Sequence, residues 1–109
     1  MIADLTYLQQ LTGDDSGKMK ATIELFLRQV AEMRVELDVL LKHKKWLELS
    51  RLAHKIKSSA LVMGIEPLVD DMKELEFLAK EGKNTEKYPD YIARFNTMID
   101  LIEVELKDS

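Results

Sequence analysis

The chain has 109 residues, a net charge of −4, no cysteine, four glycines and two prolines. That length holds one domain, expected over residues 1–109, and the scarcity of breakers favours long helices. The acidic balance argues against a nucleic-acid binder, the lack of cysteine excludes disulfides and thiolate metal sites, and no apolar run approaches the ~20 residues of a membrane span. Met1 to Leu5 have neither the basic nor the apolar stretch of a signal peptide, so a soluble, cytoplasmic domain with no membrane association is expected.

Five helical segments follow in chain order, with no strand pattern of comparable length. The first is short, about Ala3 to Leu11, with Leu5, Leu8 and Leu11 at helical spacing. Thr12 to Gly17 is turn chemistry and offers N-cap candidates. The second helix runs from about Gly17 to Lys42, with Met19, Ile23, Phe26, Val30, Met33, Leu37 and Leu40 recurring every three or four residues. A helix of ~26 residues would be ~39 Å long. Lys42, His43, Lys44 and Lys45 suit the negative end of its dipole, and His43 reads as a helix-end residue rather than a catalytic one.

The third helix starts near Lys45 or Trp46 and runs to about Met63, where Gly64 stops it. Pro67 then belongs in the first turn of a fourth helix whose inner stripe is Leu68, Met72, Leu75 and Ala79 and which ends near Gly82. Asn84 or Thr85 can cap a fifth helix whose stripe is Tyr88, Tyr91 or Ile92, Phe95, Ile99, Ile102 and Leu106. Long amphipathic helices with short loops predict an all-α fold: an antiparallel up-down-up-down four-helix bundle with a short additional N-terminal helix.

One residue stands out against this pattern. On the third helix Leu49, Leu52, Ala53, Ile56, Ala60 and Met63 form one stripe. At roughly 100° per residue, His54 points about 150° away from the centre of that stripe. It should face solvent or a partner, with Ser50 and Arg51 one turn before it and Lys57, Ser58 and Leu61 one to two turns after. Leu47 lies about two turns before it on the same side. Apolar spots rimmed by hydroxyls and cations are what a docking surface looks like. A neutral imidazole nitrogen is a competent nucleophile near neutral pH, and nearby cations favour the neutral ring and stabilise an incoming phosphoryl group.

The segment Ala53-His54-Lys55-Ile56-Lys57-Ser58-Ser59-Ala60, with Gly64 ten residues after the histidine, resembles the signature of histidine-containing phosphotransfer (HPt) domains. Leu75-Glu76-Phe77-Leu78-Ala79 with Gly82 resembles that family's following helix, and Asp4 to Leu8 with Ile23 to Leu27 resembles its start. The resemblance implies a four-helix bundle whose exposed histidine takes a phosphoryl group from a receiver-domain aspartate and passes it to another. By position, His54 is the acceptor and donor, and Lys55 and Lys57 fall on basic positions of the motif. Glu76 stands where some members place a polar group that hydrogen-bonds the imidazole; a carboxylate there holds the ring's orientation and opposes the charge of the lysines. Ser58 replaces the usual glycine, which narrows access to the ring.

The resemblance also implies that the first helix and the adjoining part of the second help bind receivers. Phe26 fits the core stripe better than Leu25, so Leu5, Leu8 and Leu25 are assigned to the interface, together with Leu47, Ser50, Arg51 and Leu61. The implied partners are response-regulator receiver domains, a hybrid sensor histidine kinase, or both, met by a monomer. No Walker pattern or glycine-rich nucleotide loop is present, so the chain is expected to be a carrier rather than an enzyme. It would need no cofactor of its own, Mg²⁺ being supplied by the receiver. A di-iron bundle would need Glu-x-x-His on two helices, but Arg51 and Leu40 stand three residues before His54 and His43. The competing reading is a helical adaptor that binds the same partners with no phosphoryl chemistry.

Overall fold

A computed structural model describes residues 2–107. Five α-helices appear: α1 (Thr6–Thr12), α2 (Ser16–Lys42), α3 (Trp46–Val62), α4 (Glu66–Lys80) and α5 (Tyr88–Lys107), with a 3₁₀ turn over Thr85–Lys87 before the last. The four long helices form the antiparallel bundle that the periodicity predicts, and α1 is the short additional helix. The bundle measures 42 × 21 × 19 Å. Its long axis matches the ~40 Å expected of the 27-residue α2, so that helix sets the length of the molecule. No helix among the described residues is long and apolar enough to cross a membrane.

The predicted stripes supply the core. Every named apolar position of the third, fourth and fifth helices is buried, including both Tyr91 and Ile92. On α2 the stripe is only half inside: Phe26, Val30 and Leu37 are buried, while Met19, Ile23, Met33 and Leu40 lie at its margin. Helices α3 and α4 form the tightest pair. Ala53, Ala60 and Ala79 are fully buried on these two helices, and small side chains let the backbones approach.

The turn between α3 and α4 fixes that pairing. Gly64 takes a left-handed φ of +65°. Its N–H donates to the Leu61 carbonyl and the Ile65 N–H to that of Ala60, the paired bonds that close a helix with a glycine just past its end. Gly64 also lies under the N-terminal segment: the Asp4 N–H donates to its carbonyl at 3.0 Å, and a Cβ there would sit 1.9 Å from the Asp4 carbonyl oxygen. The Ile2 and Ala3 N–H groups donate to the carboxylate of Glu105 on α5. These bonds hold residues 2–5 against the bundle in a non-helical path, which is why α1 starts at Thr6 rather than near Ala3.

Two other boundaries differ by identifiable bonds. Asp15 is the N-cap of α2 and accepts from the Lys18 N–H, so that helix begins one residue before Gly17. Asn84 does not cap α5; it adopts a left-handed φ of 54° and makes no side-chain cap. The Tyr88 hydroxyl donates instead to the Lys83 carbonyl, and the Tyr88 ring meets Trp46 edge-on at 5.1 Å. These contacts anchor the loop.

Gly64→Ala is expected to destabilise by roughly 2 kcal/mol or more, combining left-handed backbone strain with the clash against Asp4. Ile56→Ala should cost ~2–5 kcal/mol as a core truncation. Urea denaturation of both variants checks these values.

Candidate functional site

Helix α3 carries His54 on its open side, as the projection predicts. Its side chain is 57% exposed, between buried Ala53 and Ile56 that fix the helix underneath. The ring does not hang free. Nδ1 lies 3.0 Å from Glu76 Oε2 on α4, and the Lys57 ammonium donates to Glu76 Oε1 at 2.8 Å. One carboxylate therefore spans two helices and holds both groups. A buried hydroxyl supports it, since Ser50 Oγ donates to the Glu76 main-chain carbonyl at 2.8 Å.

Charge decides the proton positions. Burial pushes the Glu76 carboxyl up, but the hydrogen bonds and charges of Lys57 and His54 outweigh it, and the net shift is below the ordinary glutamate value. An ionised carboxylate only accepts. Nδ1 must then carry the hydrogen, and in the neutral ring this leaves the lone pair on Nε2. Among the described residues no hydrogen bond engages Nε2.

The remaining sequence-derived residues divide into two groups. Arg51, Lys55, Ser58, Leu25, Leu47 and Leu61 are exposed, as a docking surface requires. The Ser58 hydroxyl donates back to the His54 carbonyl at 3.1 Å, so it is satisfied by the helix backbone. Leu5 is half-buried against the core. Two assignments are corrected. Leu8 is 1% exposed: α1 packs this face onto the bundle, so Leu8 anchors α1 instead of meeting a partner. Ser50 is 5% exposed: it lies on the side of α3 covered by α4, and its hydroxyl is committed to Glu76.

Seven large apolar side chains that the sequence did not assign to a surface are exposed: Tyr7 and Leu11 on α1, Val35 and Val39 on α2, Phe77 on α4, and Leu101 and Val104 on α5. The signal for Phe77 was its place off the inner stripe of Leu68, Met72, Leu75 and Ala79. Among the described residues no cluster of His, Cys, Asp and Glu is suited to a metal ion.

A protein-family model, that of the Hpt domain, matches residues 21–105. The chain belongs to the Hpt domain family. That membership assigns it to phosphotransfer in two-component signalling, among receiver domains and kinases, in a family of phosphocarriers rather than enzymes. No curated protein and no solved structure matches the chain significantly.

Because the folded state favours ionised Glu76, its contribution to stability is complete above the ordinary glutamate range and is lost as pH falls through its lowered folded value. Glu76→Gln should therefore be less stable than the native protein at about pH 7, and the gap should be narrower at about pH 3, below the ordinary glutamate range. Urea midpoints at the two pH values provide the comparison.

Proposed function

We propose that His54 is the phosphoryl acceptor and donor of this Hpt domain, with Nε2 as the reacting atom. The observation that carries this reading is the carboxylate of Glu76 shared between Nδ1 of His54 and the ammonium of Lys57, beneath a ring left open to solvent.

In the forward step the Nε2 lone pair attacks the phosphorus of an aspartyl phosphate on the receiver. The N–P bond forms as the P–O bond to the aspartate breaks, and the aspartate leaves as a carboxylate. The proton on Nδ1 stays, and the positive charge gained by the ring falls beside Glu76. Return to a second receiver reverses these bonds, with the acceptor aspartate attacking phosphorus and the neutral ring leaving. Receiver-bound Mg²⁺ would stabilise the phosphoryl oxygens in both directions; this chain supplies the nucleophile, its orientation and positive charge from Arg51, Lys55 and Lys57.

Ser58 narrows the approach by one hydroxymethyl group, but its hydroxyl is turned to the helix backbone. That favours a site that still admits an aspartyl phosphate. The adaptor reading needs only the surface and predicts that replacing His54 changes nothing.

His54→Gln should abolish label uptake from a phosphorylated receiver and shift stability by no more than about 0.5 kcal/mol, as expected for an exposed side chain. Native protein should carry the label in an acid-labile, phosphohistidine form. Undiminished uptake by His54→Gln would remove His54 as the acceptor.

A further inference from the structure

The open face of α4 holds a feature beside the His54 array but outside it. Phe77 is 76% exposed, the most open large apolar side chain among the described residues. It sits between Lys73 one turn before and Lys80 one turn after, and these three line a groove of about 490 Å³ together with Lys57 and the acids Asp70, Glu74 and Glu76. The charges of α4 are unequally engaged. Its acids mostly have partners inside the chain: Asp71 with Arg94, Glu76 with His54 and Lys57, and Glu74 facing the Tyr91 hydroxyl. Among the described residues Lys73 and Lys80 have no ion pair, and neither has the groove's Asp70.

We propose that Phe77, flanked by Lys73 and Lys80, is a second contact for the receiver domain that docks on His54, taking an apolar side chain and carboxylates from that domain's rim. This rests on the reading of His54 as the acceptor. Three observations carry it further. First, Lys57 and Glu76 line the groove and also hold the His54 array, so the strip is continuous with the reacting centre. Second, the open face of the 17-residue α3, about 10 Å wide and ~25 Å long, offers about 250 Å² against the roughly 800 Å² per partner of a standard interface, so a docked domain must extend onto a neighbouring helix. Third, aromatic anchors dominate binding energy while rim charges set the encounter rate, and Phe77 offers such an anchor with the Lys73 and Lys80 ammonium groups one turn to either side.

The test follows label transfer from a phosphorylated receiver across a range of receiver concentrations, for native protein, Phe77→Ala and the Lys73→Ala/Lys80→Ala double variant. Phosphoramidate, a small donor that needs no docking, is run in parallel. Phe77→Ala should raise the half-saturating receiver concentration about tenfold or more, as for an interface anchor, with an unchanged phosphoramidate rate. The lysine variant should slow transfer chiefly at low salt. Unchanged concentration dependence in both variants would overturn the strip as a receiver contact. A concentration-dependent dimer of the native protein, lost in Phe77→Ala, would give the face to a second copy and overturn it equally. If native protein takes label from phosphoramidate but from no receiver, the receiver reading and this proposal fail together, whereas normal native transfer with unaffected variants removes this proposal alone.

Discussion

The carboxylate of Glu76 is the constraint on which the site depends. It reaches from α4 to α3 and occupies both of its oxygens there, one with the His54 ring and one with the Lys57 ammonium. A lone exposed histidine would sample several ring orientations and both tautomers. Here the acceptor oxygen fixes one ring nitrogen as the donor and turns the other outward. Lys57 offsets the negative charge that this requires, so the ring is oriented without standing against an uncompensated carboxylate. The same arrangement places the Lys57 ammonium about one helical turn from His54.

Such an array is only as firm as the spacing between α3 and α4. That spacing rests on groups far from any partner. Small buried residues bring the helices together, Ser50 ties its hydroxyl to the Glu76 main chain, and the Gly64 turn sets how α4 starts relative to α3. The N-terminal segment then lies on Gly64 and is held to α5 through Glu105. The family signature thus joins two different physical needs: the histidine stands exposed and oriented for the chemistry proposed for it, and the glycine ten residues later is there because no Cβ fits beneath the Asp4 backbone.

Much of this was legible in the sequence because helical periodicity reports burial directly. The stripes of the third, fourth and fifth helices, the exposure of His54 and the stop at Gly64 all follow from residue spacing. What was not legible depends on neighbours that spacing cannot supply. Ser50 and Leu8 have angular positions compatible with a surface, and only the packing of α4 and α1 over them makes them interior. The start of α1 was set by long-range bonds to Gly64 and Glu105, and that of α5 by the side-chain bond of Tyr88 to the Lys83 carbonyl, neither of which local propensity contains. Glu76 was flagged through family resemblance, but its sharing between His54 and Lys57 needed the distance between two helices. Phe77 was present in the pattern as an apolar residue off the stripe and was passed over because the stripe was complete without it.

The most direct test of this account is the tautomer of His54, read by long-range ¹H–¹⁵N correlation of the ring on the neutral form, before and after phosphorylation. The account predicts hydrogen on Nδ1, a bare Nε2, and phosphorus coupling to Nε2 in the loaded protein, with the tautomer preference weakened in Glu76→Gln. Hydrogen on Nε2 in the native protein, or phosphorus attached to Nδ1, would contradict the role given to Glu76.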